Sequence, residues 1–198
     1  MHGLDILYGT RSRLAVLRVL YFADEPISGR EVQRRADLSN RSAMTALADL
    51  ADRHIVHCDY TSTRNLYRIN RGNYYVRKVL RPGFDAETYF WDDLRRIVRR
   101  IVKPRPVAAV ASGPIARRED LPTGLVTVTL LFETGHERIR ALKTVPRLQA
   151  EIKDRLTLDS SVRPLDANNM HDERFDPLWR EIEREGLVLF GTLVPARR

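Results

Sequence analysis

The chain has 198 residues, 43% of them hydrophobic and 30% charged, which suits a globular protein of one large or two small domains. Its single cysteine excludes an intramolecular disulfide and any multi-cysteine zinc site, and the five histidines are scattered without metal-ligand spacing. The net charge of +8 points to a polyanionic partner, and the excess is uneven: residues 1–82 hold 14 Lys+Arg against 8 Asp+Glu, whereas the remaining 116 hold 20 against 18. A solvated basic surface is the plain alternative.

From the N-terminus, residues Arg11 to Phe22 carry Leu14, Val16, Leu17, Val19, Leu20 and Phe22, dense enough for a buried helix that has stopped by Pro26. Ser28-Gly29-Arg30-Glu31 satisfies the capping-box pattern and starts a short helix to about Ala36. Asp37-Leu38-Ser39-Asn40 forms a turn, and Ser39 caps a further helix to about Arg53. On that helix Ala43, Leu47, Leu50 and Ala51 follow the spacing of a core-facing stripe, while Asn40, Arg41, Ser42 and Thr45 lie near its start and away from it. Two strands follow, Ile55 to Tyr60 and Asn65 to Ile69, joined by Thr61-Ser62-Thr63-Arg64; Cys58 in the first is expected to be a small buried thiol.

Three helices and a hairpin with a basic tip, in that order, are the layout of a winged helix-turn-helix. A recognition helix needs hydrogen-bonding side chains in its first turns, because those turns reach base edges. Arg41 suits a guanine edge, and Asn40 or Thr45 a base or a phosphate. The hairpin would set Arg64, with Arg68 and Arg71 nearby, beside the sugar-phosphate backbone. The expected DNA-binding set is therefore Ser28, Arg30, Ser39, Asn40, Arg41, Ser42 and Thr45 with Thr63, Arg64 and Arg68. A capped, solvated helix start and an exposed hairpin are the competing readings. Residues 3–82 resemble the winged-helix domains found fused to minimal nucleotidyltransferases in prokaryotes. The resemblance is carried by 4–11, Ser28-Gly29-Arg30-Glu31-Val32, Leu38-Ser39-Asn40-Arg41-Ser42 with Leu47 and Leu50, and Leu66-Tyr67-Arg68-Ile69-Asn70-Arg71. His54 departs from it, standing where such domains often carry glycine, and would be strained if its backbone is left-handed.

Arg81-Pro82-Gly83 reads as the boundary, giving a winged-helix domain over 1–82, a linker helix over 83–105 and a second domain over 106–198. The linker has Phe90, Leu94, Ile97, Val98 and Ile101 at helical spacing, suited to dimerisation or to packing on its own domain. Its other face carries Arg95, Arg96, Arg99, Arg100 and Lys103, either a DNA-flanking strip or a solvated surface. Beyond it the pattern alternates: strands at Val107 to Val110, Leu125 to Phe132, near Val162 to Leu165 and Leu187 to Leu193, with helices within Arg138 to Arg155 and from Pro177 to Glu185.

The segment 110–120, centred on Gly113-Pro114, resembles the opening motif of the minimal nucleotidyltransferase domain of the polymerase-beta superfamily, and 178–191 its closing helix and strand. The resemblance implies a Gly-Ser pair holding nucleotide phosphates, but Pro114 offers neither hydroxyl nor backbone N–H. It also implies two aspartates one residue apart on the next strand, which here reads Leu125-Val126-Thr127-Val128-Thr129 and offers no carboxylate for a hard divalent cation. Asp159 and Asp166 come later, and one carboxylate does not build a two-metal site.

The expected fold is thus mixed α+β or α/β: a winged helix-turn-helix, a linker helix and a degenerate nucleotidyltransferase-like domain, with no catalytic residue, metal or cofactor. The expected function is a sequence-specific DNA-binding transcriptional regulator, a repressor, not an enzyme. Its partners would be double-stranded DNA, a second copy in a homodimer, and a small-molecule or nucleotide effector. No apolar run approaches the roughly 20 residues that cross a bilayer, and the N-terminus lacks a signal-peptide core, so a cytoplasmic, nucleoid-associated setting is expected. The alternatives are an active nucleotidyltransferase modifying a partner protein or RNA, and a non-specific DNA-coating or bridging protein.

Overall fold

The computed structural model describes residues 9–60, 64–116, 124–166, 169 and 172–192. The chain divides into two compact units, Met1–Thr88 and Tyr89–Arg198, and its class is mixed α+β.

In the first unit the order is α1 (Arg11–Tyr21), β1 (Ile27–Ser28), α2 (Gly29–Ala36), α3 (Asn40–Asp52), β2 (Val56–Tyr60) and β3 (Asn65–Ile69). Each helix starts on a side-chain cap: Thr10, Ser28 and Ser39 each accept the backbone N–H three residues on, from Arg13, Glu31 and Ser42. Such caps satisfy donors that the first helical turn leaves orphaned. Phe22, which the apolar spacing assigns to α1, lies just beyond it and is 52% exposed.

The strands form an antiparallel sheet of order β1-β3-β2, with Ile27 opposite Tyr67 and Cys58 opposite Tyr67 on its other side. Cys58 is half-buried rather than buried. Val16, Leu17, Leu20, Val32, Leu47, Leu50 and Ile55 pack with Ile69, Val76 and Leu80 as one core. At Gly29, where α2 meets that core, a Cβ would stand 2.8 Å from Met44 Cε and 3.3 Å from Tyr67 Cε2, so a larger residue there would make the flexible Met44 side chain shift.

α3 closes in a Schellman arrangement. His54 is left-handed at φ 57°, as the sequence allowed, its N–H reaches the Ala51 carbonyl at 2.9 Å, and the Ile55 N–H reaches that of Leu50 at 2.9 Å.

The expected break at Arg81-Pro82-Gly83 is absent. A π-helical turn over Val76–Leu80 runs straight into α4 (Arg81–Ile101), with the Arg81 N–H bonded to the Val76 carbonyl five residues back. A wider turn there accommodates a proline ring that would collide with a regular helix, so Pro82 is absorbed rather than terminating. The division between the units falls within α4. Phe84 belongs to the first core, while Leu94, Ile97, Val98 and Ile101 are buried in the second. That stripe, suited by its spacing to dimerisation or self-packing, is taken up by its own unit.

The second unit contains β4 (Ala108–Ser112), β5 (Leu125–Phe132), α5 (Gly135–Leu142), α6 (Val145–Leu156), β6 (Asp159–Asp166), α7 (Asp176–Glu185) and β7 (Leu187–Phe190). The sheet order is β6-β5-β4-β7, with β5 and β6 parallel and the other pairs antiparallel. The single helix expected within 138–155 is two, parted at Lys143 and Thr144, with Pro146 in the first turn of α6. On one face Val126, Val128, Leu130 and Phe132 pack with the α4 stripe, Leu148 and Ile152. On the other, Ala108, Val110, Leu131 and Leu165 meet Leu178, Trp179 and Ile182 of α7.

Candidate nucleic-acid interface

α3 is two-sided, as its sequence spacing implies. Ala43, Leu47 and Leu50 of the expected stripe are buried, joined by Ala46 in place of the half-buried Ala51, while Asn40, Arg41 and Thr45 are exposed on the outer side. The exposed stripe continues to Ala48 and Asp52, which sequence reasoning did not single out, although their i+7 and i+11 spacing from Arg41 on one helix face was a usable signal.

The serines in the expected set serve the caps. Ser39 Oγ accepts the Ser42 N–H at 3.2 Å and donates to Ser42 Oγ at 2.9 Å, and Ser28 Oγ accepts the Glu31 N–H at 3.3 Å. Only half of the capping box forms, because the Glu31 carboxylate turns to Arg34 and Arg35, each at 2.6 Å. Those two guanidiniums draw the Glu31 carboxyl down to about 2, Arg34 being the larger cause.

The arginines of this unit divide into committed and uncommitted. Arg34 and Arg35 are held by Glu31, and Asp49 takes both Arg13 at 2.8 Å and Arg53 at 3.0 Å. Arg71 donates to the Tyr21 carbonyl at 3.0 Å and lies over the Tyr21 ring. Arg30 and Arg41, both exposed, have no such side-chain partner among the described residues. On the hairpin, Arg64 is exposed, and Arg68 pairs with Asp59 at 3.3 Å with both side chains about half exposed. Thr63 lies outside the described residues.

The basic face of α4 is engaged within the second unit. Arg95 donates to the Leu189 carbonyl and pairs with Asp92 at 2.7 Å, Arg96 pairs with Asp93 at 2.7 Å, and Arg100 with Glu151. Arg99 lies over the Phe190 ring at 4.7 Å. Four of the five cations that the sequence aligns as a strip thus have partners in their own unit.

Gly113 and Pro114 of the expected opening motif and two residues of the next strand share one cleft. Gly113, Pro114, Leu125 and Thr127 line one open cleft of about 610 Å³ with Pro177, Arg180, Glu181, Arg184 and Glu185 of α7. Gly113 is needed there, at φ 97°, where a Cβ would stand only 3.2 Å from the Leu125 carbonyl oxygen. The later aspartates stand apart from each other. Asp159 pairs across the sheet with Leu125 in register and bonds to Lys153, whereas Asp166 faces Phe132 at the far end of the ladder, buried against Arg138 at 2.7 Å. Among the described residues no three His, Cys, Asp or Glu side chains gather as metal ligands, and no helix is long and apolar enough to cross a membrane. Residues 4–8, 117–120 and 193, which carry parts of the motifs and strands expected from sequence, lie outside the described residues.

No protein-family model matches the chain, and no curated protein matches it. Among solved structures, it resembles a chain of a toxin–antitoxin crystal structure with AMP-PNP, at 12% identity and a TM-score of 0.37, over 52% of this chain and 73% of that one. It also resembles human N-acetylserotonin methyltransferase in complex with SAM, at 14% identity and a TM-score of 0.31, over 48% of this chain and 31% of that one. Similarity this low transfers no function.

Proposed function

We propose that this chain is a sequence-specific DNA-binding transcriptional regulator, a repressor, whose first unit is a winged helix-turn-helix with α3 as the recognition helix. The observation that carries the proposal is the outer face of α3: a capped helix buried along Ala43, Ala46, Leu47 and Leu50 that turns Asn40, an uncommitted Arg41 and Thr45 to solvent. The order α1-β1-α2-α3-β2-β3, with a sheet of order β1-β3-β2, supports the same reading. So does the charge excess over residues 1–82. Phosphate contacts from Arg30, Arg64 and Arg68 would fix orientation, and α3 would supply sequence readout. The working form is a cytoplasmic, nucleoid-associated homodimer.

The second unit is a nucleotidyltransferase-like domain without catalytic function, retained for dimerisation or for sensing a small molecule or nucleotide. In support, the cleft beside Gly113 and Pro114 draws no carboxylate from β5. Its acids are Glu181 and Glu185 on α7, and Glu185 is bound to Arg184 at 3.0 Å. That arrangement does not resemble a strand-borne two-metal site.

The test is a salt titration of the full chain against its own promoter region and a random duplex of equal length. A complex with the promoter that outlasts the random one as salt rises supports sequence-specific regulation. Equal affinity for both would mean a DNA-coating protein, and no complex at low salt removes the proposal.

A further inference from the structure

The exposed face of α3 is chemically graded along its length. Arg41, Thr45, Ala48 and Asp52 follow at i, i+4, i+7 and i+11, all exposed, on the side opposite the buried stripe. Arg41 has no side-chain partner among the described residues. Ala48 presents a bare methyl in the middle of an otherwise polar stripe, and the Thr45 γ-methyl lies one turn before it. Nothing within this unit's core uses either methyl, since neither residue is among the buried apolar set. Asp52 ends the stripe with a carboxylate, which phosphates on either side of a groove would repel.

Resting on the DNA-binding reading above, we infer that α3 reads a guanine followed by thymine methyl groups. A guanidinium forks onto guanine O6 and N7, and small apolar groups pack on the thymine 5-methyl, the one apolar feature that distinguishes bases in the major groove. With a rise of about 1.5 Å per residue, Thr45 and Ala48 lie roughly 6 and 10 Å beyond Arg41 along the helix axis. Base pairs stack about 3.4 Å apart along the duplex axis, and a helix lying in the groove runs at an angle to that axis, so the methyl contacts fall about one to three base pairs from the guanine. Asp52 sets the limit: the first three turns enter the groove and the last turn leaves it.

The experiment is selection of duplexes bound by the full chain from a randomised library, followed by replacement of each selected thymine with deoxyuridine, which lacks only the 5-methyl. Expected are a guanine with one or two thymines about one to three positions away, and about a fourfold loss of affinity for each deoxyuridine placed there, the worth of one buried methyl. Thr45→Ser and Ala48→Gly, each of which deletes the methyl in question, should each make one of those deoxyuridine replacements silent. A consensus whose thymines tolerate deoxyuridine without loss overturns the methyl readout and leaves DNA recognition standing. Binding without any consensus overturns it as well, and absence of binding at low salt overturns the parent reading too.

Discussion

The side-chain amide of Asn70 donates to the backbone carbonyl of His54 at 2.8 Å, so the residue after β3 holds the end of α3. His54 is left-handed there, a conformation that costs a residue with a Cβ about 1–2 kcal/mol relative to glycine. His54→Gly should therefore stabilise the first unit by up to about 1 kcal/mol, and His54→Val should destabilise it by about as much. Asn70 Oδ1 also accepts the Gly72 N–H at 3.1 Å, so Asn70→Ala should cost about 1 kcal/mol or more. Chemical denaturation of the full chain, followed by a probe in the first unit, checks all three.

Ser39→Asp should separate stability from DNA affinity. Aspartate is as good an N-cap as serine and its charge suits the positive end of α3, so folding stability should hold within a few tenths of a kcal/mol. The same charge beside Arg41 opposes phosphate, and duplex binding should fall severalfold. Ser39→Ala should instead lose about 1 kcal/mol of stability through the missing cap. Melting curves paired with binding isotherms give the comparison.

Arg41→Ala should weaken the preferred duplex by about 1–3 kcal/mol while leaving random DNA nearly unaffected. Arg64→Ala should weaken preferred and random duplexes alike and flatten the dependence on salt. If both variants bind as the parent does, α3 and the hairpin are oriented otherwise on DNA.

Glu31 provides a pH test. Its carboxyl is depressed from 4.5 to about 2 by hydrogen bonds from Arg34 and Arg35. A depressed folded value means the stabilising contribution is complete above the unfolded value and fades as pH falls from about 4.5 through about 2. Carboxyl chemical shifts followed by NMR should show Glu31 still ionised at pH 4, when an isolated glutamate is largely protonated; an ordinary midpoint would mean the Arg34 and Arg35 contacts do not persist in solution.

Incubation with labelled nucleoside triphosphates and magnesium should transfer no label to the protein, to RNA or to a partner. Transfer that disappears when Gly113 is changed would reinstate an active cleft.

Much of the first unit was legible because capping serines and apolar spacing are local signals. Ser28 and Ser39 marked the starts of α2 and α3, and Ala43, Leu47 and Leu50 marked the buried side. β1 was not, since two residues carry no period and Ile27–Ser28 is a strand only by pairing with Tyr67 and Leu66. Pro82 misled for a related reason: a breaker rule assumes a regular helix, and the π turn before it removes the clash. In the second unit the parallel pairing of β5 with β6 and the partners of the α4 arginines depend on contacts far apart in sequence. Among the expected DNA-facing residues, Arg30, Asn40, Arg41, Thr45, Arg64 and Arg68 are exposed while Ser28 and Ser42 are half-buried in their caps, and which arginines stay uncommitted depended on where Asp49 and Asp59 fall.

The Asp59–Arg68 pair changes how cations on the hairpin should be counted. A phosphate that takes Arg68 must displace a carboxylate already seated there, exchanging one anion for another and adding little to the release of condensed salt. The ionic-strength slope of binding should therefore fall short of the number of arginines on this face, and Asp59→Asn should steepen it by close to one ion.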